Sequence, residues 1–180
     1  MTTRLRNSPD LQRAAAFLPW VRMPSTKIKI VSGGQTGADR ASLDFAVEDG
    51  FDHGGWCPKG RLAEDGPLAE CYKLKETASK DYRVRTEWNV RDSDGTVVFT
   101  VGPTLSGSSR RTFELAAKKY KKPVLHLSRE GGPAEPEKEL RRFIQAHGIT
   151  TLNVAGPRAS KEPDVGAFVK QVLERALLLG

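Results

Sequence analysis

The sequence predicts an α/β domain: a mainly parallel sheet covered by helices on both faces, three layers in all. Three observations predict it. Short apolar, strand-like runs alternate with longer segments of helical period from Lys27 almost to the C-terminus. The connections after those strand-like runs collect Gly with Ser, Thr, Lys and Arg, the composition of strand-to-helix turns. The length, 180 residues with 38% hydrophobic and 28% charged side chains, suits one domain that buries a core without disulfide staples.

Residues 1–25 carry a short helical pattern (Leu11, Ala14, Ala15, Leu18) broken by Pro19 and Pro24, so they are expected to form an arm packed against a domain spanning 26–180. Ile28 to Ser32 alternates as a strand and leads into an apolar periodic helix from Ala38 to Asp49. Asp52 to Trp56 reads as the next strand, followed by a loop rich in Gly and Pro. The segment "RTEWNV" has helical spacing that puts Arg85, Thr86 and Asn89 on one side and turns Glu87 and Trp88 away. Thr96 to Val101 and Ser109 to Lys121 form the next strand and helix, Val124 to Leu127 and about Pro136 to His147 another pair. Thr150 to Ala155 and a helix from about Pro163 to Leu178 complete the alternation, with proline suited to the first turn of that helix.

Composition narrows the function classes. The sequence has no apolar run long enough to cross a bilayer and no signal-peptide pattern, so a cytoplasmic protein is expected. Cys57 and Cys71 lack the paired spacing of a zinc or dithiol site and are expected to be reduced. His53, His126 and His147 are scattered without ligand spacing, so no metal site is expected. A net charge of +7 and a sequence pI near 9.6 favour an anionic partner without naming it. Nucleic acid is the least favoured of these, because Trp20, Trp56 and Trp88 are far apart and no helix-turn-helix or zinc finger occurs.

In a sheet of this kind ligands lie outside the carboxyl ends of the strands. The first turn there, Ser32-Gly33-Gly34-Gln35-Thr36-Gly37, ends at a helix whose first turn holds Asp39. Its glycines are expected to leave room for a ligand against the main chain, where helix N–H groups and the helix dipole favour an oxyanion or phosphate. Ser32, Thr36 and Gln35 add polar donors, and Asp39 reads equally as a helix-end carboxylate or a ligand contact. The spacing matches neither a P-loop nor the dinucleotide fingerprint. A second loop, with Gly107, Ser108, Ser109 and Thr112, again enters a helix, so two loops are expected to bracket one ligand. Lys59 and Arg61 in "CPKGRLAEDG" are candidates to place charge over the mouth. Arg85 has no helix-surface partner at Glu87, which favours a ligand role, and Asn153, Gly156, Arg158 and Ser160 form a last turn that reads equally as anion contact or as cap and surface charge.

Four stretches in order, "IVSGGQTGADRASLDFA", "GGWCPKGRLAEDG", "RTEWNVRDSDGTVVF" and "LNVAGPRASK", resemble the molybdenum carrier proteins, also called molybdenum cofactor carrier proteins. The resemblance covers nearly all of Lys27 to Leu178. It implies a Rossmann-like three-layer sandwich that binds molybdenum cofactor (molybdopterin) or molybdate-type oxyanions and protects or delivers them without transforming them. Homo-oligomers, tetramers among them, are implied too, and the recipient would be a molybdoenzyme or a protein of cofactor biosynthesis. The wider group includes phosphoribohydrolases, which makes nucleotide binding, or hydrolysis of a nucleoside monophosphate at its glycosidic bond, the alternative. Those enzymes use a Gly-Gly-x-Gly-Thr-x-x-Glu loop, whereas this chain reads Gly107-Ser108-Ser109-Arg110-Arg111-Thr112-Phe113-Glu114. With the glycine pair missing, no catalytic residue is assigned.

Overall fold

The computed structural model describes residues 28–179, and the expected arm at 1–25 lies outside them. In chain order the elements are β1 (Lys29–Val31), α1 (Ala38–Glu48), β2 (His53–Gly54), β3 (Trp56–Cys57), β4 (Leu62–Ala63), β5 (Gly66–Pro67), β6 (Lys75–Glu76), α2 (Tyr82–Arg91), β7 (Gly95–Thr100) and α3 (Gly107–Glu114). After α3 come a π-helical turn (Leu115–Lys119), β8 (Val124–Ser128), α4 (Pro136–His147), β9 (Thr151–Ala155) and α5 (Val165–Leu177). Five strands form one sheet in the order β2-β1-β9-β7-β8, every neighbouring pair parallel.

Helices α1, α4 and α5 pack together on one face, and α2, α3 and the π turn on the other. β7 shows why a central strand reads as a continuous apolar run: all six of its residues are buried between those layers. The main core joins Ile30, Phe45, Val97, Phe99, Leu152, Phe168 and Leu173. Full burial of each such side chain stabilises the fold by about 1.5–3 kcal/mol. α4 shows the helical counterpart. Its Leu140, Phe143 and Ile144 are buried at i, i+3 and i+4, Pro136 starts it, and Gly148 closes it in the left-handed conformation.

Two elements differ from the sequence expectation. The strand expected over Asp52 to Trp56 is divided at Gly55. β2 stays in the sheet, while β3 leaves it to pair with β6. The reason is Asn89, whose carboxamide takes both polar groups of Trp56: its Oδ1 accepts the Trp56 N–H at 2.8 Å and its Nδ2 donates to the Trp56 carbonyl at 3.0 Å. A side chain thus replaces a neighbouring strand. The helix expected over Ser109 to Lys121 is α-helical only to Glu114 and then widens into the π turn. That turn carries Lys119 and Tyr120 to Glu87 of α2, which they hold at 2.5 and 2.8 Å.

A small hairpin, β4–β5, covers the β1–α1 loop over a second apolar cluster of Leu43, Cys57, Leu68 and Leu74. Arg40 of α1 grips it through Asp65, with two bonds of 3.1 Å. Cys57 and Cys71 are unbridged. Among the described residues no helix is long and apolar enough to span a membrane, and no group of metal-ligating side chains is present.

Candidate anion-binding site

The site follows from the strand order. The β1 loop turns to α1 on one face of the sheet and the β7 loop to α3 on the other, so a crevice opens between them with the end of β9 as its floor. It has two compartments. An inner notch of about 30 Å³ is lined by Gly33, Asp39, Arg85, Thr86, Asn89, Ser108, Thr112, Asn153, Val154, Ala155 and Gly156. An outer cavity of about 80 Å³ is lined by Gln35, Tyr82, Arg83, Arg85, Thr86, Ser108, Arg111, Gly156 and Arg158.

The first glycine loop differs from its expected role, because the protein's own side chains fill the space before it. A Cβ at Gly33 would lie 1.5 Å from Arg85 Nη1, and one at Gly34 would lie 2.7 Å from Leu68 and 2.9 Å from Leu74. Gly37 abuts the backbone of Pro157 to Ala159. The anion in this loop is internal: Asp39 is buried and accepts from Arg85 Nη1 at 2.6 Å. Burial pushes the Asp39 carboxyl up, and Arg85 and the loop's backbone N–H groups pull against that rise. Asp39 therefore holds Arg85 over the loop rather than capping α1. β1 and β7 are also not adjacent, since β9 lies between them.

In the second loop Ser108 and Thr112 line the crevice, while Gly107 and Ser109 line neither compartment. Gly107 adopts φ +50° with open space where a Cβ would be, and no side chain caps the α3 N-terminus. Its free N–H groups and positive dipole end belong to the same turn as Ser108, which lines both compartments. Around it stand Arg111, with no ion-pair partner among the described residues, and Arg158, which is 3.7 Å from Glu64. The guanidinium carbons of Arg158 and Arg85 each lie 5.9 Å from the Tyr82 ring centre.

Other candidates hold the frame. Arg61 lies outside the cleft, because its guanidinium is consumed by the carbonyls of Leu68, Ala69, Tyr72 and Leu74 at 2.7–3.3 Å. Lys59 is exposed and lines neither compartment. Thr36 and Ser160 both donate to Glu64, and together with Arg158 they hold its carboxyl below the usual range. Ser32 is fully buried and Ser109 nearly so, away from the lining. Asn89 does line the notch, but Trp56 takes up both ends of its carboxamide.

Sequence reasoning missed Tyr82, Arg83, Arg111, Val154 and Ala155 as lining residues. The signal for Tyr82 was present: it stands three and four residues before Arg85 and Thr86, on the same helical side. Arg111 lay inside the second loop's motif.

The sequence model of the circularly permutated YpsA SLOG family matches residues 30–177. The chain belongs to that family. A crystal structure from Syntrophus aciditrophicus SB, described as a "putative molybdenum carrier protein", is similar at 46% identity and a TM-score of 0.79, covering 84% of this chain and 96% of that one. No curated protein matches. As a circularly permutated YpsA SLOG member, the chain has the Rossmann-like α/β architecture that its sequence predicts, with the crevice outside the carboxyl ends of the strands.

Proposed function

We propose that the protein binds an anionic small molecule in this crevice and holds it without transforming it, the cargo being molybdenum cofactor or a molybdate-type oxyanion. One observation carries the reading: the uncapped α3 N-terminus shares an outer cavity with Arg111 and Arg158, so main-chain donors and cations converge on one space. The name of the 46%-identical relative points to molybdenum. Tyr82 offers an aromatic face beside the anion donors, suited to a flat ring.

The hydrolytic alternative has less support. Glu114, the only carboxylate of the second loop's motif, lines neither compartment. It pairs instead with Arg110 and Lys118 on the exposed side of α3, each at 3.3 Å. Asp39 does line the notch, but an arginine holds it at hydrogen-bond distance. The reading also places the protein in the cytosol, with its two thiols reduced, as a homo-oligomer that passes its cargo to a molybdoenzyme or a cofactor-biosynthesis protein.

Native mass spectrometry with elemental analysis, after incubation with cofactor, molybdate and a nucleotide panel, tests it. Bound mass with stoichiometric molybdenum and no product is expected, and Arg111→Ser should weaken binding about tenfold or more, as loss of a charge-assisted bond does. Release of free base from a nucleotide, with neither molybdenum species retained, would overturn the carrier reading.

A further inference from the structure

The two compartments differ in what they ask of a ligand. In the inner notch each threonine and asparagine already donates within the protein, and Arg85 and Ser108, which line both compartments, are donors it shares with the outer cavity. Thr86 and Thr112 donate their hydroxyl protons to the carbonyls of Tyr82 and Ser108, each at 2.9 Å. Asn153 donates to Thr96 at 3.2 Å. The two threonines have only oxygen lone pairs left, Asn153 keeps its carbonyl oxygen and one N–H, and Asp39 adds a buried carboxylate. A fully deprotonated oxyanion there would meet these acceptors and the Asp39 carboxylate, whose charge is already paired with Arg85. A notch of about 30 Å³ has room for one water-sized group.

The outer cavity is the reverse. Gln35 is 95% buried, with a fractional exposure of 5%. Its Oε1 accepts the N–H of Thr36 at 3.0 Å and of Glu64 at 2.8 Å, which fixes the amide orientation. Its Nε2 is left buried with no partner, and so is Nε of Arg85, while both residues line the outer cavity. Buried donors without partners are costly and rare, and a site that binds an acceptor explains them.

We propose that the natural ligand has two chemically different ends, a neutral hydroxyl or N–H donor seated in the inner notch and an acceptor-only anionic group in the outer cavity. This rests on the anion-binding reading and narrows it: an organic phosphate-type anion fits, whereas a bare tetrahedral oxyanion leaves the notch unsatisfied. Gln35 is then a specificity-determining residue, and Asp39 receives the donor.

The test uses the full-length protein and calorimetric titration with ω-hydroxyalkyl phosphates of two to five carbons, each against its plain alkyl phosphate, with molybdate alongside. At one chain length the hydroxyl should tighten binding by about tenfold or more, the effect of a hydrogen bond to a charged group. Asp39→Asn should remove that gain. Gln35→Glu should weaken all the phosphates and retain the gain. Alkyl phosphates that bind with no hydroxyl gain at any length overturn this inference and leave the anion-binding reading standing. So does molybdate binding more tightly than every phosphate. If neither phosphates nor molybdate bind, the anion-binding reading itself fails and this inference falls with it.

Discussion

Arg85 is the residue on which the site's architecture turns, and its removal has a calculable consequence. Its side chain is 13% exposed and that of Asp39 5% exposed, so Arg85→Leu leaves a carboxylate buried without its cation. Breaking such a pair from one side costs about 3–5 kcal/mol, because the remaining charge keeps its desolvation penalty and loses its attraction. For a domain of this size, each kcal/mol lowers Tm by about 2–4 °C, so a fall of about 6–20 °C is expected. The double variant Arg85→Leu/Asp39→Leu should recover most of that stability, since replacing a buried pair by apolar groups is often neutral. Anion binding should not recover with it.

The loss of stability also depends on pH, with a definite sign. Burial already raises the Asp39 carboxyl above its ordinary value, and Arg85 is the chief opposing influence. Without Arg85 the folded-state value climbs further. A raised carboxyl favours the folded state while protonated, and that advantage is lost as pH rises through the folded value. The single variant should therefore be closest to the parent in stability in mild acid and furthest from it above neutrality. Urea denaturation at several pH values measures both effects. A single variant as stable as the parent at pH 8 would refute the premise that Asp39 is a buried charge dependent on Arg85.

Arg61→Met should lower the urea midpoint by removing four bonds that hold residues 68–74, while leaving anion affinity in the folded fraction unchanged, and Lys59→Ala should change neither. Gly107→Ala forces a side chain into a left-handed conformation and should cost about 1–2 kcal/mol by thermal melting, because open space surrounds the site but the backbone angle does not suit it. Asp94 supplies an acid limit. Burial would raise its carboxyl, but the hydroxyl of Thr150 and the N–H groups of Thr151 and Thr150 outweigh it, so the folded value lies below the ordinary one. Its contribution is complete above about pH 4 and lost as pH falls through the lowered folded value. Asp94→Asn should flatten that acid limb in a pH titration of stability.

Local pattern and tertiary arrangement divided the determination of this protein between them. Alternation over residues 28–32, the buried run of β7 and the proline-to-glycine bounds of α4 are set by side-chain period and backbone preference, which a linear sequence carries whole. The family's motifs and the end of the sheet that holds the crevice were legible for the same reason. Other features depend on partners distant in the chain. Asn89 ends a strand at Trp56 across 33 residues, and Arg85 fills the space before Gly33 because Asp39, 46 residues away, holds it there. Arg61 looked like a mouth cation until four carbonyls of a later loop took it up. A sequence shows which groups can donate or accept, but only the folded chain decides which donors are already satisfied, and the unsatisfied ones that face the crevice, Gln35 Nε2, Arg85 Nε and the α3 N-terminus, define the site.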